Sequence, residues 1–191
     1  EFMAADMARQ MNIYPCFLTI ENNQGPVCIV DGKEEIMLGS NNYLGLTIHP
    51  EVRQAAIDAV RDFGTSLTGS RLANGTHKLH ELFEEELAEF FGKEEAVIFT
   101  TGYQANLGVI SAVMGEGTTL IMDKADHASI YDGSKLAQGN VVGYKHRDMA
   151  DLERVLKAVP EESGKLIIVD GVFSMEGDII DLPEVARLAE K

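Results

Sequence analysis

Three polar segments stand directly after short apolar runs, and each offers groups suited to binding a ligand. The first, Thr101-Gly102-Tyr103, joins an apolar run to a helical pattern, where free N–H groups and the positive helix end attract an anion. The threonine hydroxyl adds a hydrogen-bonding group, and the glycine lets a phosphate approach the backbone closely. Such residues are also common helix caps, so the segment by itself leaves both interpretations open.

His127 and Ser174 follow later apolar runs. His127 places a flat ring where an open parallel sheet binds ligands, and such a ring can stack on a planar cofactor. Ser174 offers a hydroxyl to a cofactor oxygen. The alternatives are a histidine that begins a helix without a ligand and a serine that forms a turn. Because a doubly wound sheet gathers its strand ends on one edge, the three segments together favour a ligand site.

The elements that must position these residues alternate between strands and helices. Helical patterns begin near Tyr103, His127 and Met149, between short apolar runs at residues 96–99, 119–122, 141–144 and 166–169. Alternation of this kind predicts an α/β fold with a mostly parallel sheet and helices on both faces. Asp148, in a His-x-Asp turn, is interpreted as a helix cap rather than a catalyst.

The first part of the chain predicts smaller elements. Apolar runs on either side of Asp31-Gly32 predict a β-hairpin, and a helix is predicted to begin at Pro50 and to end at Gly64. A polar, glycine-rich stretch at residues 64–76 then leads to a second helix. The last helical pattern, from residue 183, meets no stop signal, so we expect the chain to be cut within a longer protein.

The composition argues against several classes of function. A formal charge of −15 argues against a nucleic-acid partner, because phosphate binding needs a basic surface. No apolar run is long enough to span a membrane, and no secretory signal is evident. Cys16 and Cys28 lack the spacing of a metal site or a redox motif, so we expect no metal and a reduced, cytoplasmic setting. Glu1-Phe2 is interpreted as a cloning remnant.

Six segments, met in order along the chain, resemble the front half of the α-oxoamine synthases. They are Ser40-Asn41-Asn42-Tyr43-Leu44-Gly45-Leu46, Gly69-Ser70-Arg71, Asn74-Gly75-Thr76 with His80, Thr101-Gly102-Tyr103-Gln104-Ala105-Asn106, Asp126-His127-Ala128-Ser129 and Val172-Phe173-Ser174-Met175-Glu176-Gly177-Asp178. The resemblance implies a fold-type-I transferase whose cofactor is pyridoxal 5′-phosphate (PLP). It implies an N-terminal arm and β element at residues 3–49 and the first part of the PLP-binding large domain, truncated at its C-terminus, at residues 50–191.

The resemblance also implies roles for individual residues. Gly102 and Tyr103 match positions that hold the cofactor phosphate, and the Thr101 beside them is also expected to contact it. His127 matches the ring that stacks on the pyridine and contacts the amino-acid carboxylate, and it is the catalytic residue expected in this chain. Ser174 matches a hydroxyl that bonds near the phenolic oxygen of the cofactor.

The implied reaction joins an amino acid (serine, alanine or glycine) to an acyl-CoA in a homodimer. Asn41 matches a substrate-contacting position, and Ser70 matches one that reaches the acyl substrate bound by the partner subunit. Within the family, the sequence Met175-Glu176-Gly177-Asp178-Ile179 is most similar to that of the bacterial serine palmitoyltransferases. The alternatives are 8-amino-7-oxononanoate synthase, 2-amino-3-ketobutyrate CoA ligase, another fold-type-I enzyme such as an aminotransferase or lyase, and a non-catalytic partner subunit or scaffold of the same fold.

Two further parts of the family pattern have no counterpart in the chain. The resemblance puts the family's Asp-x-Ala-His motif shortly after Lys191, and the lysine that forms the Schiff base further on. Lys157, Lys165 and Lys191 stand in no matching context. The 191 residues by themselves are therefore expected to be inactive.

Overall fold

A computed structural model describes residues 3–11, 13–14, 16–22 and 25–191, and the chain divides into two compact units, Glu1–His77 and Lys78–Lys191. The division between residues 49 and 50 that the resemblance implies stays a prediction. Glu1-Phe2, interpreted as a cloning remnant, lie outside the described residues. Among the helices in the described ranges, none has the length and apolar character needed to cross a membrane.

The first unit contains the predicted hairpin and helix. Its elements are α1 (Ala4–Gln10), β1 (Val27–Val30), β2 (Lys33–Ile36), a 3-10 helix (Leu46–Ile48) and α2 (Pro50–Phe63). The turn between β1 and β2 has positive φ at Asp31 (49°) and Gly32 (72°), as a two-residue hairpin turn requires. Pro50 begins α2 and Gly64 follows it with φ 76°, which confirms both predicted ends of the helix.

The second unit alternates helices and strands. Its elements are α3 (Lys78–Phe91), α4 (Gly102–Val113), β3 (Thr118–Asp123), α5 (Ala128–Leu136), β4 (Asn140–Tyr144), α6 (Met149–Ala158), β5 (Gly164–Ile168) and α7 (Leu182–Ala189). The three strands are parallel in the order β4-β3-β5, and Ile121 pairs with Val142 on one side and Ile167 on the other. The predicted α/β fold with a parallel sheet is confirmed.

Alternate residues of β3 belong to two apolar clusters. One cluster joins the strand to α4 and α5 through Ile110, Met114, Leu120, Met122 and Ile130. The other joins it to α6, α7 and the loop after β5 through Ile121, Tyr144, Leu152, Val155, Phe173, Ile180, Val185 and Leu188. The helices that follow the adjacent strands β3 and β5 therefore cover opposite faces of the sheet. Because the chain leaves β3 toward one face of the sheet and β5 toward the other, a crevice forms at the carboxyl ends of these two strands.

The prediction of a strand at residues 96–99 is wrong. The segment forms no strand, and Val97 and Phe99 are 68% and 41% exposed. The Ile98 N–H donates to the Glu84 side-chain Oε1 at 2.9 Å rather than to a neighbouring strand. An apolar run becomes a strand only where another backbone accepts its hydrogen bonds, and that condition is not visible in the pattern of the run itself.

Candidate active site

A cavity of about 330 Å³ lies at the carboxyl edge of the sheet. Its walls come from the start of α4, the turn after β3 and the loop after β5. Gly102, Tyr103, His127 and Ser174 all line it, and Thr101 caps the helix that begins there. The structure therefore brings together the five predicted site residues that belong to the second unit.

The start of α4 has open space and uncommitted N–H groups. Thr101 accepts two hydrogen bonds, from the Gln104 N–H to its Oγ1 at 3.1 Å and from the Ala105 N–H to its carbonyl at 3.0 Å. The N–H groups of Gly102 and Tyr103, the first two of the helix, have no intrahelical acceptor. A Cβ at Gly102 would meet no atom within 4 Å. Thr101 is thus a helix cap, and the N–H groups of the two residues that follow it are suited to binding an anion.

His127 is the N-cap of α5, and its ring makes the capping bond. Nδ1 accepts the Ser129 N–H at 3.2 Å and lies 2.7 Å from Ser129 Oγ. The His127 N–H donates to Asp170 Oδ2 at 2.8 Å. The ring stands nearly perpendicular to that of Tyr103, with 6.5 Å between their centroids. His127 therefore begins a helix and forms a wall of the cavity, so the two interpretations made from the sequence are compatible.

The phenol hydroxyl of Tyr103 is hydrogen-bonded to a side chain of α5. Its hydroxyl donates to Asp132 Oδ2, and Asp132 also pairs with Lys135 Nζ at 2.6 Å. The hydrogen bond to Asp132 raises the pKa of Tyr103 and keeps the phenol protonated. Tyr103 thus has its N–H and its ring to offer a ligand, while its hydroxyl is engaged elsewhere.

A buried carboxylate ties the ends of β3 and β5 together beside the cavity. Asp126 is 5% exposed, and its carboxylate accepts the Asp123 N–H at 2.8 Å and the Asp170 N–H at 2.9 Å. Burial raises the pKa of Asp126 to about 7, although the two backbone hydrogen bonds oppose the shift. Because Asp170 also accepts the His127 N–H, this pair of aspartates fixes the backbone from which the histidine ring extends.

The loop that carries Ser174 is closed by its own backbone. The Phe173 N–H donates to the Asp178 carbonyl at 2.9 Å, and the Gly177 N–H donates back to the Phe173 carbonyl at 2.8 Å. Gly177 has φ 73°, a conformation that favours glycine. Phe173 is fully buried in the core and anchors the loop, whereas Ser174 remains exposed at the cavity.

His146 fastens this loop to the end of β3. Its Nδ1 lies 2.9 Å from Asp123 Oδ1, and its Nε2 lies 3.2 Å from Asp178 Oδ2. Both ring nitrogens face carboxylate oxygens. The hydrogen bond to Asp123 above all, and also that to Asp178, raises the pKa of His146 and so favours the ring that donates from both nitrogens. Asp148 accepts the Asp151 N–H at 2.9 Å as the N-cap of α6, so its interpretation as a cap is confirmed.

The two predicted substrate-contacting residues lie in the first unit. Asn41 and Ser70 are both exposed. The Ser70 carbonyl accepts the Gly75 N–H at 2.8 Å, and a Cβ on Gly75 would lie 1.9 Å from the Gly69 carbonyl oxygen. Ser70 is therefore held in a turn that only glycine can close. The substrate roles of Asn41 and Ser70 stay predictions.

Four polar residues of the site received no role from the sequence: Asn106, Asp126, Ser129 and Asp170. The sequence spacing does contain part of the information that would identify these residues. Asn106 stands four residues after Gly102, which places both on one face of α4, and two of the others flank His127. Which of them bonds to which depends on how α4, α5 and the strand ends pack, and no local pattern encodes that.

A parallel sheet between two layers of helices, with a cavity where the chain diverges after adjacent strands, is the architecture of the PLP-binding domain of fold-type-I transferases. The family profile described as "Aminotransferase class I and II" matches residues 33–191. The chain belongs to this family, within its α-oxoamine synthases.

Relatives in this group match almost the whole chain. Serine palmitoyltransferase of Bacteriovorax stolpii is 49% identical over 188 residues, which cover 98% of this chain and 45% of that protein. An 8-amino-7-oxononanoate synthase of Thermoanaerobacter pseudethanolicus is 48% identical over 184 residues, 96% of this chain and 47% of that protein. A solved serine palmitoyltransferase from S. paucimobilis with a bound PLP–myriocin aldimine has a TM-score of 0.92 at 36% identity, covering 98% of this chain and 49% of that one. The chain spans about half the length of the curated relatives it matches.

Proposed function

We propose that the whole protein to which this chain contributes is a PLP-dependent acyltransferase that condenses serine with a long-chain acyl-CoA. The observation that carries the proposal is the cavity, in which two free N–H groups, an imidazole ring and a hydroxyl converge. These groups suit the phosphate, the pyridine ring and the phenolic oxygen of PLP. The relatives support the reaction, since several serine palmitoyltransferases are 45 to 49% identical to the chain.

The residues of the cavity take separate tasks in this proposal. The helix start formed by Thr101, Gly102 and Tyr103 binds the phosphate, because its N–H groups and the helix dipole complement negative charge. His127 lies against the pyridine and donates a hydrogen bond to the amino-acid carboxylate, which orients the α-carbon. Ser174 bonds the phenolic oxygen. Bound PLP supplies an electron sink for the negative charge that develops at the α-carbon.

The first unit supplies substrate contacts in a homodimer. Asn41 contacts the amino acid, and Ser70, in its glycine-closed turn, reaches the acyl substrate bound by the partner subunit. Support for this assignment comes from the exposed position of both residues. Sedimentation of the whole protein should show a dimer. A monomer with full turnover would contradict the shared site.

Release of CoA by the whole protein with added PLP tests the reaction. We expect the highest kcat/KM with serine and palmitoyl-CoA across a panel of amino acids and acyl-CoA chains. Preference for alanine with a carboxylate-terminated acyl-CoA would assign the second candidate, 8-amino-7-oxononanoate synthase, which the 48% identical relative supports. Absence of CoA release with every pair would contradict the proposal.

The lysine that holds the cofactor belongs, in this proposal, to the part of the protein outside these 191 residues. Residues 3–191 expressed alone, mixed with PLP and reduced with borohydride, should therefore acquire no stoichiometric adduct. An adduct at a single lysine, together with CoA release, would show that the catalytic lysine lies within the chain.

A further inference from the structure

The ring of His127 is held by two donors from one residue. The Ser129 N–H, which can only donate, is 3.2 Å from Nδ1, and the Ser129 hydroxyl is 2.7 Å from the same nitrogen. A proton on Nδ1 would point at this N–H group. The neutral ring therefore carries its proton on Nε2.

Asn106 sets the direction of the hydroxyl. Its Nδ2 donates to Ser129 Oγ at 2.8 Å, so the oxygen accepts from the amide and has its own hydrogen to give to the ring. The three groups form a chain of donors that runs from α4, through the start of α5, to Nδ1. Ser129 is 1% exposed, so water does not compete for its hydroxyl.

The close approach of α4 and α5 makes this chain of hydrogen bonds geometrically available. A Cβ on Gly133 of α5 would lie 2.8 Å from Ile110 Cδ1 and 3.2 Å from the Asn106 carbonyl oxygen. A side chain at this position would push α4 away and stretch the contact between Asn106 and Ser129. The packing thus depends on a glycine one helical turn beyond the serine.

We propose that Ser129 and Asn106 are positioning residues that fix His127 in the tautomer with its proton on Nε2, so that the ring presents an N–H donor to a ligand in the cavity. The identity of that ligand as an amino-acid carboxylate rests on the proposed function. A carboxylate is only an acceptor, and the opposite tautomer would set a nitrogen lone pair against it. The hydrogen bond to the ligand is therefore prepared before the ligand binds.

Nitrogen NMR of the whole protein labelled with ¹⁵N-histidine reads the tautomer directly, and His127→Ala assigns the signal. In the wild type, Nδ1 should give the shift of an unprotonated nitrogen and Nε2 that of a protonated one. Asn106→Asp replaces the amide donor with an acceptor, turns the Ser129 hydroxyl toward α4 and should make the opposite tautomer measurable. Ser129→Ala should lower the tautomer ratio by about tenfold, the effect of one lost hydrogen bond.

Ser134→Ala is the matched control, because Ser134 is also buried in α5 but donates to the Tyr131 carbonyl at 2.7 Å. It should leave the His127 signals unchanged. A wild-type ring protonated on Nδ1, or Ser129→Ala and Asn106→Asp spectra that match that of Ser134→Ala, would overturn the inference.

A kinetic measurement then tests the ligand. With PLP bound, Ser129→Ala should raise the KM for the amino acid by the inverse of the Nε2-protonated fraction that NMR reads in the variant, with a smaller change in kcat. An unchanged KM beside an altered tautomer would overturn the part of the inference that concerns the carboxylate. Failure of the wild type to bind any amino acid would instead contradict the proposed function, and the NMR result would still decide the tautomer.

Discussion

The two units of the chain differ in how they hold their functional residues. The second unit builds two apolar clusters around a parallel sheet and anchors Phe173 and the strand ends in them. In the described part of the first unit, Cys28 is the only apolar side chain that is buried, at 5% exposure. Asn41 and Ser70 are thus placed by turns and hydrogen bonds, whereas the cavity of the second unit is placed by packing.

A sequence motif does not distinguish residues that are placed by core packing from residues that are placed by exposed turns, but the structure does. Changes in the second unit should alter stability and ligand binding together, because the core residue Phe173 directly precedes Ser174, which lines the cavity. Changes at the exposed turns of the first unit should alter substrate binding with little effect on stability.

The largest effect should come from the core beneath the cavity. Phe173→Ala, at a fully buried position, should lower the free energy of unfolding by about 3–5 kcal/mol in urea titrations of the whole protein. Phe17→Ala, at a side chain of the first unit that is 92% exposed, should cost less than about 0.5 kcal/mol. Equal losses at the two positions would remove the distinction between the units.

The buried carboxylate should make stability depend on pH. Because burial raises the pKa of Asp126 from 3.8 in the unfolded chain to about 7, the folded protein binds the extra proton between these values, and stability falls as pH rises through this window. Relative to Asp126→Asn, the wild type should lose up to about 1.4 kcal/mol per pH unit there.

Asp132→Asn is the contrasting control for this pH series. The hydrogen bond from Lys135 lowers the pKa of Asp132, so its contribution is present above the unfolded value of 3.8 and is lost only at more acidic pH. The difference in stability between this variant and the wild type should stay constant from about pH 5 to 8, because that range lies about one unit or more above the unfolded value. A flat difference for Asp126→Asn as well would argue against the buried, uncharged carboxyl.

His127 should matter for the ligand far more than another histidine at a helix start. With PLP bound, His127→Ala should weaken amino-acid binding about tenfold, through loss of one charge-assisted hydrogen bond. His49→Ala is the control, since His49 is the N-cap of α2 but makes no side-chain capping bond. Amino-acid titrations that show the same affinity for both variants would count against the assigned role of His127.

The smallest effect is expected in the first unit. Ser70→Ala keeps the backbone carbonyl that holds the turn, so stability should not change. The KM for the acyl-CoA should rise about threefold to tenfold if the hydroxyl reaches that substrate. A loss of stability without a change in KM would make Ser70 a structural residue of the turn.

Much of the fold follows from local signals in the sequence. Asp31-Gly32 predicted the hairpin turn, Pro50 and Gly64 predicted the ends of α2, and alternating apolar runs predicted β3, β4 and β5. The apolar run at residues 96–99 forms no strand, because a strand also needs a neighbouring backbone to hydrogen-bond with. Local pattern reports which face of a segment is apolar but not what lies beside it.

The site was predictable to the level of segments rather than of hydrogen bonds. Because strand ends gather on one edge of a parallel sheet, the sequence predicts that Gly102, His127 and Ser174 lie near one another, and all three line the cavity. The bonds that join Asn106 to Ser129 and Asp126 to Asp170 span 23 and 44 residues of sequence. Such contacts depend on helix packing and strand order, which short motifs do not specify.

Equilibrium dialysis of PLP and pyridoxal against the whole protein tests most directly the proposal that the cavity of the second unit binds PLP with its phosphate at the start of α4. Two hydrogen bonds from N–H groups to a charged phosphate predict that PLP binds at least about a hundredfold more tightly than pyridoxal. Gly102→Glu, which fills the open space with a negative side chain, should abolish this preference. Equal affinity of the wild type for PLP and pyridoxal would contradict the claim.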